Sequence, residues 1–442
     1  MSQNDTYIKK KGNNIKLNLI DYFQLLIISL FFFIGMADFR YGAENYILTG
    51  LFIIWLCVSI LFTPKLFIRV FIKSRYILLL VFSIFYILPQ LILGIVISNV
   101  IKGYFAIILV LAPFIFADYY YCKFGEKIFG KVSKFLVGCY IYFSIRTLYL
   151  LINNPKAARY LTYGTSATNV DEMTQFSGVG GGYDLAYALV LLIPLLVYFI
   201  LNNKMITKKE KWRCTIITIL FMYTVVLSDF GMAFLILVIG LLGIVLSYIK
   251  RKNRLVFIST ILVGTFLFIL SKEIIGDLLI ELSNLHITNT ISSRLNIFGR
   301  YLRSDIQLLD ISLRLTRNIQ SIKTFLTYPF LGASVDALYD INILRSVYIG
   351  NHSDLLDTLA KYGILAGLPL ISFYFLTILS INKRLTIYSG SIMLNVTNIL
   401  FLLIAIFNYV SVISISVTVA WIIPGIIIMT QKYNNKLPEG NC

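Results

Sequence analysis

Gly350-Asn351-His352-Ser353-Asp354-Leu355-Leu356 is the point where a long polar loop passes into an apolar helix. Downstream, residues 355–380 form an apolar run long enough to cross a hydrocarbon layer about 30 Å thick. Upstream, residues 272–353 form the one large polar segment of the chain. The junction therefore separates a spanning helix from a loop held at one membrane face. It also carries His352, one of two histidines.

Working outward, the same apolar pattern fills the chain. Of 442 residues, 58% are hydrophobic and only 14% charged, and mean hydropathy is +0.82. A soluble protein carries about a quarter charged residues. Twelve apolar runs lie near 20–36, 46–63, 76–98, 103–117, 128–152, 183–201, 212–228, 231–249, 254–271, 355–380, 391–409 and 412–430. The fourth is short, and the last two can also be read as one re-entrant hairpin. The expected fold class is an all-α integral membrane protein of about 12 transmembrane helices, with a large extracytoplasmic loop containing amphipathic helices. By region, residues 1–271 hold nine helices and a smaller outer loop at 153–182, residues 272–353 the large loop, and residues 354–442 the C-terminal helices. The first 19 residues are polar and basic, and no small-residue cleavage site follows the first run, so it reads as a retained signal anchor.

A net charge of +18 does not point to nucleic acid, because most basic residues fall in short loops between apolar runs. Placing both termini on the cytoplasmic side assigns 25 of the 39 lysines and arginines to inner segments, and every inner loop is then basic. Inner segments hold 19 lysines and 6 arginines, and the outer face 9 arginines and 5 lysines. Lysine suffices as a topology signal. Arginine adds a planar fork that grips phosphate or carboxylate, or packs a loop against headgroups. The five cysteines form no CxxC pair and none falls in an outer loop, so no disulfide and no metal site is expected.

Two outer segments hold the candidate chemistry. Residues 153–182 include Arg159 and the glycine-rich Ser177-Gly178-Val179-Gly180-Gly181-Gly182, which suits a lid or a close approach to a ligand. In the larger loop, residues 300–328 repeat apolar side chains at three- and four-residue steps, the pattern of amphipathic helices lying on the membrane surface. That loop holds Arg294, Arg300, Arg303, Arg314, Arg317 and Arg345. Arg314 and Arg317 share one helix face at i,i+3 spacing, as do Arg300 and Arg303. Such pairs clamp a diphosphate, or face solvent and headgroups.

His352 opens the tenth helix, with Asn351 or Ser353 as its N-cap. A helix N-terminus favours a neutral ring able to accept a proton, and the same position also suits a merely capping histidine. Asp354, in the first turn, is a second candidate base. Gly363 and Gly367 follow on one stripe, where they admit a neighbouring helix. Arg146 lies inside the fifth run, either as a functional charge or snorkelling to the interface. Asp229 lies in an outer hairpin, where it pairs with an arginine, binds an acceptor, or makes a turn.

Arg314, Pro329-Phe330-Leu331-Gly332, His352-Ser353 and Gly363-Ile364-Leu365-Ala366-Gly367 together resemble the shared signature of bacterial O-antigen polymerases and O-antigen ligases. Ser228-Asp229-Phe230-Gly231-Met232-Ala233 resembles the short Ser-Arg-Gly-Ala hairpin of that superfamily. Ser353 stands where asparagine is usual and Asp229 where arginine is usual. Both departures weaken the ligase branch more than the polymerase branch. The resemblance covers roughly residues 314–367; elsewhere only the topology agrees.

The resemblance implies a metal- and cofactor-independent glycosyltransferase in the bacterial cytoplasmic membrane, with its active face extracytoplasmic. Its substrate would be an undecaprenyl-diphosphate-linked oligosaccharide, its surroundings membrane lipids, and its partners could include a chain-length regulator protein. By the same resemblance, Arg314 would hold the diphosphate leaving group and His352 would take the acceptor proton, with Arg317 as the i,i+3 partner. A ligase would differ only in acceptor. A flippase or transporter would place its polar site at the midplane, between internal repeats. Polar residues here gather at the outer face, and no repeat is visible, which favours an enzyme.

Overall fold

The computed structural model describes residues 17–36, 43–92, 94–153, 183–202, 206–228, 230–248, 259, 271–284, 292, 295–296, 299–300, 303, 309–333, 349–350, 352–385, 391–408 and 410–431. Most of these are helical, with no strand among them. In order they form α1 (Leu19–Met36), α2 (Ala43–Phe62), α3 (Pro64–Phe71), α4 (Ser74–Ile92), α5 (Ile97–Phe124) and α6 (Lys127–Asn153). There follow α7 (Tyr183–Leu201), α8 (Lys208–Leu227), α9 (Gly231–Tyr248), α10 (Lys272–Ser283) and α11 (Leu309–Thr327). The C-terminal part has α12 (Asp354–Tyr362), α13 (Leu368–Leu385), α14 (Ser391–Phe407), α15 (Ile413–Val417) and α16 (Ile423–Gln431). π-helical turns at Gly363–Gly367 and Thr418–Ile422 join α12 to α13 and α15 to α16.

Eight helical stretches among the described residues are long and apolar enough to cross a membrane. This is the architecture of a multi-pass all-α membrane protein. α9 and α14 are apolar but shorter. α8 opens on the polar Lys208-Lys209-Glu210-Lys211, where a Thr207–Glu210 capping box starts it. The expected run at 254–271 lies outside the described residues apart from Ser259 and Ser271, as does the outer loop at 154–182.

The helix from Ile413 to Thr430 is the axis of the bundle, 89% buried, and packs against α1, α5, α6 and α7. Hydrogen bonds tie it to two neighbours. Ser133 Oγ donates to the Trp421 carbonyl at 2.9 Å, and Trp421 Nε1 donates to the Pro113 carbonyl at 2.9 Å. α14 instead packs on α9 and α7, so the last two runs occupy separate places and do not form one hairpin. Outward faces stay apolar: Leu80 on α4, Ile219 on α8 and Leu242 on α9 are all exposed, as lipid contact requires.

The fourth run is not short. The chain bends after α4 at Gly94, whose φ of +75° suits glycine, and α5 then runs 28 residues through Asp118. Reading apolarity alone stopped that helix at its first carboxylate. Asp118 is buried and ion-paired, so the helix continues past it. Asp118 accepts from Arg75 and, at 2.9 Å, from the Tyr76 hydroxyl, and lies 3.3 Å from Arg384. These groups stand at the start of α4 and the ends of α5 and α13. His352 stands before the start of α12, about 45 Å away along α12 and α13 at about 1.5 Å per residue. The two polar clusters thus occupy opposite ends of the bundle.

Candidate functional site

The site forms where α11 meets the start of α12. α11 was expected to lie on the membrane surface by its apolar stripe. Its apolar stripe is exposed, and its polar face makes the contact with the rest of the protein. Ile319 and Ile322 are exposed, whereas Ser321 and Thr324 are buried against the bundle. Small hydroxyl residues let two backbones approach closely and hydrogen-bond across the gap, the usual logic of helix contacts inside membranes. α11 runs alongside α12 in the same direction, with Arg317 near Gly350, Ser321 near Asp357 and Phe330 near Gly363.

Three contacts fix this register. At the first, a Cβ on Gly350 would collide with the Arg317 carbonyl, so only glycine lets the chain lie against α11 there. At the second, Asp357, 1% exposed, accepts from Ser321 Oγ at 2.5 Å and from the Ser353 backbone N–H at 3.2 Å. Ser321 in turn accepts from the Gly350 N–H at 2.9 Å. The third is the turn after α11. The N–H groups of Ile364 and Leu365 donate to the carbonyls of Pro329 and Phe330 at 2.8 and 3.1 Å. Gly332 and Gly363, with φ of +76° and +62°, sit against each other's segments, where a Cβ on either would strike backbone. Gly363 was expected to admit a neighbouring spanning helix; its close neighbour is this turn.

Held this way, Arg317 Nη1 lies 2.5 Å from His352 Nε2. A guanidinium has donors only, so Nε2 accepts and the ring proton sits on Nδ1. Arg317 thereby fixes both tautomer and orientation of a neutral imidazole. Ser353 is the N-cap, accepting from the Leu356 N–H at 3.3 Å, so serine serves at this position as a capping residue. His352 is left outside the helix and half-buried beside the arginine.

The other candidates are not brought to this pair by any described contact. Arg314 lies three residues earlier in α11; its side chain is outside the described residues. Arg294, Arg345, Arg159 and Asp229 also lie outside them. Arg303 reaches Asp277 of α10 at 2.8 Å, an exposed pair of little energetic weight. Arg300 is exposed on the same loop, and Arg146 is exposed on α6. Asp354 faces away from α11. It accepts from Ser411 Oγ at 2.6 Å and from the Val410 N–H at 3.3 Å, tying α12 to the α14–α15 connection. The crevice beside it, about 20 Å³, has room for about one water and none for a sugar. This placement suits a tether better than a base.

Sequence reasoning passed over Ser321, Gly350 and the tethering role of Asp357. A single serine and an acidic first turn are ordinary in helices, and only the partner across the gap gives them meaning. Removing the Asp357 carboxylate strands the Ser321 hydroxyl and the Ser353 N–H in a buried setting, at about 1–3 kcal/mol for each unmet group. Asp357→Ala should therefore lower the Tm of purified protein and expose the 309–333 segment to protease, while Asp354→Ala should leave that segment protected. Limited proteolysis of the two variants checks this.

No family model matches the chain, and no curated protein matches it.

Proposed function

We propose that the protein is a polysaccharide polymerase of the O-antigen polymerase type, moving a growing glycan from undecaprenyl diphosphate onto the next lipid-linked repeat. The single observation carrying this reading is the Arg317–His352 contact, a fixed cation joined to a neutral imidazole where a polar loop enters a spanning helix. A proton acceptor and a phosphate-gripping fork are the two groups such a transfer needs.

In the transfer, an acceptor hydroxyl attacks the anomeric carbon of the donor glycan. The bond from that carbon to the lipid diphosphate breaks, and the diphosphate leaves with the electron pair. Arg317, with Arg314 one turn away, neutralises the developing charge. In the free protein, Nε2 of His352 is occupied by Arg317 and takes no proton. The incoming diphosphate is the stronger acceptor for a guanidinium, since hydrogen bonds to an anion are about twice as strong as neutral ones. Its arrival draws Arg317 off the ring and frees Nε2 to receive the hydroxyl proton. The site lies at the extracytoplasmic face in the orientation given by the basic inner loops.

Gel analysis of surface glycan from a deletion strain tests the assignment. A ladder collapsed to one repeat is the expected result. Intact polymer missing from its final anchor would instead mean a ligase, and lipid-linked units trapped on the inner leaflet would mean a flippase.

A further inference from the structure

The end of the bundle opposite His352 holds charges that glycan transfer does not use. Asp118 on α5 is 1% exposed and is shared by three cations. Arg75 pairs with Oδ2, Arg384 lies 3.3 Å from Oδ1, and Lys73 lies 3.8 Å from Oδ1. One carboxylate balances one cation, and the neighbouring Lys123 is matched by its own partner, Asp21, at 2.5 Å. An excess of positive charge in a pocket of low dielectric is costly unless an anion completes it.

Two features say where that anion sits. Among the described residues, the buried Arg75 Nε has no hydrogen-bond partner. The side chains of Lys73 and Arg384 are 29% and 22% exposed, so the cluster opens at its edge. Arg384 is also laid over the Tyr121 ring, 4.0 Å from its centroid, which holds the guanidinium plane in place. Asp118 thus acts as an internal brace that gathers three cations from the α3–α4 link, α4 and α13; Lys73 also reaches Cys122 Sγ at 3.4 Å and Arg384 the Ser380 Oγ at 3.3 Å.

We propose that Lys73, Arg75 and Arg384 form a binding site for a phosphate anion, presented by a membrane lipid headgroup or free in solution. Basic pockets between spanning helices take lipid phosphates in this manner, and arginine supplies the fork that matches phosphate oxygens. The proposal needs only that the chain spans a membrane, and stands apart from the transferase reading.

The test is thermal unfolding of the full chain in a mild nonionic detergent, titrated separately with phosphatidylglycerol, phosphatidylcholine and inorganic phosphate at matched ionic strength. Phosphatidylglycerol should raise Tm saturably, and zwitterionic phosphatidylcholine should not. In Lys73→Gln/Arg384→Gln the half-saturating concentration should rise about thirtyfold, roughly fivefold for each cation lost. The charge-keeping Lys73→Arg should respond as wild type. Action by phosphatidylglycerol alone identifies the lipid as the source, and equal action by inorganic phosphate identifies a free anion. If the double variant does not fold, Lys73→Gln and Arg384→Gln singly should each shift the titration about fivefold. The proposal is overturned if neither ligand raises Tm, or if the neutralised variants titrate like wild type.

Discussion

His352→Ala should give a protein that inserts and folds normally but extends glycan chains at least about a hundredfold more slowly, the usual contribution of a positioned general base. The expectation rests on where the ring sits. His352 lies before the first turn of α12, and the cap belongs to Ser353, so truncating the imidazole leaves the helix cap in place. Its ring nitrogen meets Arg317, an exposed residue. Loss of the ring should therefore leave Tm near wild type while surface glycan collapses to single repeats. Arg317→Ala should match it within about tenfold, since one lost transition-state donor costs about a hundredfold to a thousandfold. Arg317→Lys should restore little, because an ammonium lacks the two-pronged fork. Long polymer from either alanine variant would remove the pair from the chemistry.

Gly350→Ala should be nearly as damaging with no reacting group removed. The added Cβ would meet the carbonyl of Arg317, and backbone does not yield as a flexible side chain would. The segment must move off α11, taking His352, two residues on, with it. The Gly350 N–H would also leave Ser321 Oγ. A displacement near 1 Å at a reacting group costs about a hundredfold in rate. The variant should thus resemble His352→Ala in its glycan ladder. It should differ in showing a protease-sensitive 309–333 segment, because the tether between α11 and α12 is strained. Wild-type polymer from Gly350→Ala would mean that the approach of loop to helix is unimportant.

The spanning helices were legible because a bilayer leaves little freedom: apolar runs of sufficient length become helices almost regardless of detail. α5 was misread at Asp118, whose partners Arg75 and Arg384 lie 43 and 266 residues away. Apolarity therefore ended the run where an ion pair continued it. For α11 the apolar period was readable, but the polar contact was not: Ser321 and Thr324 are the residues buried, while Ile319 and Ile322 stay exposed. Of the site, the types and the helix-start position of His352 were readable. The meeting of Arg317 with His352 was implied only by the family resemblance; the register that brings it about was not readable, because it depends on a bare Gly350 and on the Ser321–Asp357 bond, neither of which leaves a periodic trace.

The most direct measurement is release of free undecaprenyl diphosphate by the purified protein in vesicles supplied with lipid-linked repeats. Wild type should liberate one lipid diphosphate for each new glycosidic bond, and Arg317→Ala should liberate it at least about a hundredfold more slowly. Equal release by the two proteins, or polymer formed without release, would contradict a site in which Arg317 receives the leaving group beside His352.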